Sequence, residues 1–312
     1  MTTEMISLRS LVGTTLLEEA KHTPEIYVLD SDLAHSTTTD KFEKVYPDRY
    51  VETGIAEQDA ASIASGIAYM GGIPFFVDFA IFVAGTAFTQ IRMACYANIN
   101  LKLIATHPGM DGGFDGASHH ADEDIALMRS LPNMHILIPS NPEELCEAVH
   151  IAAVTPGPFY IRCSRDNVPN VKASVKSEIG KSKVVRDEGS DFAMIFEGSV
   201  AEQAFDGYEK ALEQGFHGKL INIFSMKPLD KKMILKIAGS VKAIVTVENH
   251  SVIGGLGSAV AEVISTQSHH AKLCMIGVED CFTESGKSKQ VKEKYGLSGE
   301  NILKKITETL KD

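Results

Sequence analysis

The stretch ETGIAEQDAASIASGIAYMGG, residues 52–72, leaves a short strand-like run and passes into an alanine-rich helical pattern with Glu57 in its first turn. An acidic side chain there meets the partial positive end of the helix. Because the residues that follow are small and apolar, the helix is fit for burial, and the carboxylate stands at its mouth. A strand that feeds a helix at its carboxyl end is the repeating unit of a helix-covered parallel sheet. The neighbouring segments show whether the unit recurs.

It does recur. The runs EIYVLD, PFFVDF, LKLIAT, HILIPS and FYIRCS alternate with helical patterns over residues 5–20, 57–70, 83–97 and 142–154, the last with Asn141 as N-cap before Pro142. A second series, DFAMIFEGS, KLINIFSM, AIVTVEN and KLCMIGV, begins after Asp191. Residues 165–183, RDNVPNVKASVKSEIGKSK, are polar and lysine-rich and read as the crossing between two units. A chain of 312 residues also exceeds the usual reach of one core. The expected fold is α/β, with two parallel or mostly parallel sheet domains at 1–185 and 186–312.

Hydrophobic residues make up 44% and charged residues 23%, which describes an ordinary globular protein. A formal charge of −11 argues against nucleic acid, whose backbone asks for a broad basic face. An anionic small substrate would instead need a local basic cluster. Five cysteines without a CxxC spacing fit reduced thiols, so the cytoplasm is the expected compartment. The start, MTTEMISLRSLVG, has no signal-peptide pattern, and no run of ~18 apolar residues suggests a membrane span.

Open parallel sheets bind ligands beyond the carboxyl ends of their strands. The residues that follow those ends are of catalytic type: Asp32 with Ser36, Glu57, a run of phenylalanines, the segment His107 to His120, and Arg165. Three stretches have plainer readings. His119, His120, Asp122 and Asp124 are competent metal ligands, yet adjacent histidines on an extended loop point apart. GGLGSA, residues 254–259, lacks the tight dinucleotide spacing, and glycines for close helix packing explain it equally well. FFVDFAIF, residues 75–82, is either a buried strand and helix start or an apolar slot for a flat ring.

Taken together, SDLAHS, GIAEQDA, FFVDFAIF, HPGMDGGFDGASHHADEDIALMRSLPNM, IRCSRDN and VTVENHSVIGGLGSAVAE resemble the carboxyl-terminal half of transketolase over essentially the whole chain. The resemblance implies a pyrimidine-binding domain followed by a smaller C-terminal domain. It implies thiamine diphosphate as cofactor, with Glu57 hydrogen-bonded to the aminopyrimidine N1′ and Phe76, Phe79 and Phe82 around that ring. Asp32 would touch the cofactor as well. Arg9, Ser36, His107 and Arg165 match the residues that hold the substrate phosphate, while Asp115 and His119 match those near the hydroxyls and the reacting centre. Glu57, His119 and His107 are the implied catalytic residues; His120 and His250 have no assigned role.

Two departures bear on function. Transketolases usually read Gly-Glu-Asp-Gly where this chain has Gly113-Phe114-Asp115-Gly116, which changes the pocket wall. The family's Gly-Asp-Gly and Asn pair, which binds the diphosphate through Mg²⁺, is missing from the sequence. No metal ligand is therefore expected in this chain, and Mg²⁺ (or Ca²⁺) falls to an N-terminal partner subunit, with a 2+2 heterotetramer as the expected assembly. Rival readings are a β subunit of a 2-oxo acid dehydrogenase, a deoxyxylulose phosphate synthase-like enzyme, and a catalytically silent binding subunit.

Overall fold

The computed structural model describes residues 4–170 and 175–311, so part of the crossing segment, residues 171–174, lies outside the described residues. The first half runs β1 (Met5–Ser7), α1 (Val12–Ala20), β2 (Ile26–Asp30), α2 (Ala34–Thr37), α3 (Asp40–Val45), β3 (Tyr50–Glu52), α4 (Glu57–Tyr69), β4 (Ile73–Phe79), α5 (Phe88–Tyr96), β5 (Lys102–Thr106), α6 (Asp124–Ser130), β6 (His135–Leu137), α7 (Pro142–Val154), β7 (Phe159–Cys163) and β8 (Asn167–Pro169). The second half adds β9 (Lys183–Asp187), β10 (Phe192–Phe196), α8 (Ala201–Glu213), β11 (Gly218–Asn222), β12 (Ser225–Lys227), α9 (Lys231–Ala238), β13 (Ala243–Ser251), α10 (Leu256–Ile264), β14 (Lys272–Val278), α11 (Ser288–Lys294) and α12 (Gly299–Lys311).

Seven strands form the first sheet in the order β12-β6-β7-β5-β4-β2-β3, parallel except for β12. Five form the second, β14-β13-β10-β11-β9, parallel except for the edge strand β9. Both sheets carry helices on their faces, as near-continuous apolar strands require. Alternation along β4 sends Phe75 and Val77 to the core under α1 and α7, and Phe76 to the core under α4 and α5. A smaller core around Phe192, Met194, Tyr208 and Ile302 closes the second sheet against α8 and α12.

Two segments differ from the helical patterns. Residues 5–20 do not form one helix: Met5–Ser7 pairs antiparallel with β8, a 3₁₀ turn covers Arg9–Leu11, and the helix begins at Val12. Long-range strand pairing overrides the local pattern, and Arg9 N–H then donates to Ser164 O at 3.1 Å, beside Arg165. Residues 83–97 likewise divide into a π-helical turn, Phe82–Thr86, and α5. α7 starts as its spacing predicts, with Asn141 accepting from Glu144 N–H and Pro142 at the first position.

β12 departs from a simple two-unit division, because residues from the second half return to pair with β6 in the first sheet. All five cysteines are free thiols. Among the described residues no helix is long and apolar enough to cross a membrane.

Candidate active site

Glu57 is the first residue of α4 and is 9% exposed. Its carboxylate makes no side-chain hydrogen bond among the described residues and lines a cavity of about 560 Å³ with Ile55, Gln58, Ser62, Thr86 and Gln90. Gln58 Nε2 donates to Thr86 O at 3.2 Å, which ties the start of α4 to the π-helical turn. That turn brings Phe82 into a stack with Phe79, the last residue of β4, at 6.0 Å and 10°. An extra residue in a helical turn is a common way to aim a side chain at a site.

The aromatic pair continues on both sides. The His119 ring meets Phe82 edge-on at 5.4 Å, and the His107 ring lies 3.8 Å from Phe79. Phe76 stands apart from this group: it is fully buried in the core beside Ala60 and Ala64 and has no free surface in this chain. Between Phe76 and Phe79 of β4 sits Asp78, fully buried, with Oδ1 accepting from Phe79 N–H and Oδ2 without a partner among the described residues. Burial, with the nearby Asp30 and Glu57 charges, pushes its carboxyl well above the usual range. Sequence reasoning passed over Asp78; the signal available was one acid in an otherwise apolar strand.

His107 takes a left-handed backbone, φ 56°, and is 3% exposed. Single non-glycine residues in that region often mark functional sites. Thr106 Oγ1 donates to Asp78 O at 3.2 Å and lies 2.9 Å from His107 Nδ1, so Nδ1 carries the ring proton and Nε2 presents a lone pair. Burial first, then Arg165 and Arg9, push the imidazole down to about 3. The Arg9 guanidinium is itself lowered by burial and by Arg165.

Among the described residues neither arginine has a carboxylate across its fork. Arg9 Nη1 donates to Ser36 O at 2.7 Å, and its buried Nε has no partner among the described residues. Arg165 Nη1 donates to Asp111 O at 3.0 Å. Both face a cleft of about 620 Å³ whose other walls include Phe114, Lys287 and Ser288. Two like charges held this way are prepared for an anion. Ser36 contributes its carbonyl to this arrangement.

The remaining expected residues lie at the rim. Asp32, φ 63°, is exposed after β2 with its N–H donating to Glu52 Oε1 at 2.8 Å. Asp115 is exposed at the end of the 3₁₀ segment Met110–Asp115. His119 is partly buried, its Nδ1 3.0 Å from Ser118 Oγ.

Three further features are structural. His120 is buried, with Nδ1 2.6 Å from Thr283 Oγ1 and Nε2 3.2 Å from Gly113 O, and burial lowers its pKa. His250 is fully buried; Nδ1 donates to Ser251 O, and Nε2 accepts from Ala126 N–H in the first turn of α6. The GGLGSA segment opens α10, but the Glu248 carboxylate accepts from the N–H groups of Leu256 and Gly257, where a phosphate would sit. An added Cβ on Gly255 would lie 2.0 Å from Glu248 Oε2, so these glycines serve close packing. No cluster of three or more metal-ligating side chains occurs among the described residues.

Residues 4–171 match the family model "Transketolase, pyrimidine binding domain", and residues 180–302 match "Transketolase, C-terminal domain". The chain is 39% identical to a "Putative transketolase C-terminal section" of Methanocaldococcus jannaschii, over 97% of this chain and 96% of that one. It is 33% identical to a 6-deoxy-6-sulfo-D-fructose transketolase subunit of a Clostridium species, covering 95% of this chain and 92% of that one. A solved structure described as "Split gene transketolase, inactive beta4 tetramer" matches with a TM-score of 0.89 and 38% identity, over 99% of both chains.

Proposed function

The chain belongs to the transketolase family, as a pyrimidine-binding domain followed by a C-terminal domain, and from that premise we propose that it is the C-terminal subunit of a two-chain transketolase. The proposed reaction is thiamine diphosphate-dependent transfer of a two-carbon ketol unit between a phosphorylated ketose and an aldose phosphate. The observation that carries this reading is the unbroken contact path His119–Phe82–Phe79–His107, whose Phe82 stands on the turn that Gln58, the neighbour of Glu57, bonds at Thr86, and whose His107 feels the charges of Arg9 and Arg165. One end suits a flat ring, the other a phosphate.

The donor set fits the cofactor's aminopyrimidine. Glu57 offers a carboxylate with no partner of its own at a helix start, Phe79 and Phe82 offer an apolar wall, and Asp78 holds an unsatisfied buried oxygen nearby. When bound, thiamine diphosphate supplies the carbon nucleophile and electron sink for carbon–carbon cleavage. In this reading Glu57 holds a proton shared with the ring nitrogen, and Phe79 and Phe82 keep water from it. Asp32 borders the cofactor at the rim. Arg9 and Arg165 grip the substrate phosphate. His107, with a lone pair at Nε2, accepts a hydrogen bond that orients a substrate hydroxyl between them, and Asp115 and His119 line the sugar hydroxyls near the reacting centre.

Phe76 is proposed only as support beneath the ring, since it is core. Mg²⁺ and the diphosphate are assigned to an N-terminal partner subunit, in a 2+2 heterotetramer, and the cytoplasm is the proposed compartment. A related solved chain described as inactive in β4 form supports the need for that partner. A sulfonated sugar is a second reading of the anion site, favoured by the relative whose printed substrate is a sulfofructose.

The test is reconstitution with the partner, thiamine diphosphate and Mg²⁺. Turnover of xylulose 5-phosphate plus ribose 5-phosphate, a sulfonated ketose, and pyruvate with an artificial electron acceptor are compared. Ketol transfer should appear only with both chains, and Glu57→Gln should lower it by roughly 10²-fold or more while leaving assembly intact. Transfer by the purified chain alone would end the split-subunit reading. Unchanged turnover of the Gln variant would favour a silent subunit, and pyruvate oxidation would favour the dehydrogenase β-subunit reading.

A further inference from the structure

Arg165 is held, through Asp111, by a residue of the second half. Asp111, fully buried in the segment after His107, divides its two carboxylate oxygens between the halves of the chain. Oδ2 accepts from Ser164 Oγ at 2.7 Å, Arg165 N–H at 2.9 Å and Asp166 N–H at 3.2 Å, while Asp111 O accepts from Arg165 Nη1 at 3.0 Å. Oδ1 pairs with Lys292 Nζ at 2.6 Å and accepts from Asn249 Nδ2 at 2.9 Å. Lys292, in α11, is 2% exposed and also pairs with Asp166 at 2.8 Å. The main chain of Arg165 is thus fixed by the Asp111 carboxylate, whose charge is met by a lysine from α11, and its guanidinium by the Asp111 main-chain carbonyl.

We propose that Lys292 is a positioning residue: through the Asp111 carboxylate it holds the backbone that aims the Arg165 fork at the substrate's distal anion, and so sets affinity for phosphorylated substrate through Arg165. The physical reason is the cost of a buried charge. Without Lys292, Asp111 would keep its three donors on the Arg165 side but lose the cation that offsets its desolvation. The carboxylate then gains by turning toward water or taking up a proton, and either change loosens its hold on the Arg165 backbone N–H and on the segment that carries the Arg165 fork. A displacement of the order of 1 Å in a bidentate anion grip is enough to weaken binding strongly. Burial alone would raise the Asp111 carboxyl, but Lys292 and the surrounding donors outweigh it and hold it below the usual range, as a held anion requires.

This inference rests on the reading of Arg165 as a phosphate ligand, and the experiment separates the two. Reconstituted complexes carrying Lys292→Met, the pair Asp111→Asn with Lys292→Met, and Arg165→Ala are assayed with xylulose 5-phosphate and with unphosphorylated xylulose as donors. Lys292→Met should raise KM for the phosphorylated donor about ten-fold while kcat/KM for the unphosphorylated donor stays within about two-fold. If Lys292→Met fails to assemble, the charge-neutral pair is read by the same criterion. Equal losses on both donors, or no change on either, would overturn the proposal. If Arg165→Ala leaves KM for xylulose 5-phosphate unchanged, the phosphate-site reading fails instead.

Discussion

His107 combines three features at one position: a left-handed backbone, a ring against Phe79, and two arginines that disfavour its cation. With the folded-state pKa lowered to about 3, the imidazole stays neutral where an ordinary histidine titrates near 6.5. The sign of the linkage follows. The unfolded chain takes up a proton at His107 as pH drops below the ordinary histidine range, and the folded chain does not. Stability is therefore present above that range and is lost as pH falls toward about 3. A His107→Gln chain should lose this part of the slope, so the stability difference between the two proteins, from urea unfolding at pH 7 and pH 5, should shift against the wild type at the lower pH. A shift of zero would mean that the folded and unfolded chains protonate His107 alike over this range. The sequence shows that a histidine stands at a strand end, but only the fold shows which tautomer it holds.

α10 shows how a glycine-rich motif divides between two readings. An added Cβ on Gly255 would press on Glu248 Oε2 and lie 2.6 Å from His250 Nδ1, displacing the carboxylate that caps the helix. Gly255→Ala should cost about 1–3 kcal/mol through lost capping and forced repacking. Gly239→Ala, whose Cβ would meet nothing nearer than 3.8 Å, should stay within about 0.5 kcal/mol, and urea melts of the two variants check the contrast. The same element shows the limit of sequence reading. Alternating strands and helices, and the Asn141–Pro142 start of α7, were legible because local spacing decides them. The pairing of β1 with β8, and the return of β12 to the first sheet, depend on partners more than 80 residues away and leave no local mark. At the site, Glu57, the phenylalanines and the arginines stand out in the sequence. The Asp78 oxygen and the Lys292 bridge emerge only when distant segments are folded together.

Across the whole molecule the two halves are joined by buried charge rather than by apolar contact alone. Arg162 of β7 is completely enclosed; its Nε and Nη2 donate to Asp124, its Nη1 donates to Glu197 Oε2 at 3.1 Å, and its Nη2 also donates to Asn249 O. Glu197 and Asn249 belong to the second half, so one guanidinium spans the junction on which the anion cleft is built. Burial would lower its pKa, but Asp124 and Glu197 outweigh that and raise it, which keeps the charge fixed at any pH the fold survives. Such a pair is costly to break from one side, because the partner acids are then left buried and unpaired. Arg162→Met should lower the unfolding free energy by about 3–5 kcal/mol, whereas adding Asp124→Asn and Glu197→Gln to the same chain should recover part of that loss. If the single variant loses less than about 1 kcal/mol, in the range of an exposed ion pair, the junction does not depend on this residue, and the halves are held by their shared apolar core. If the triple variant is no better than the single, the loss comes from missing hydrogen bonds rather than stranded charge, a distinction that denaturant titration of the two variants resolves directly.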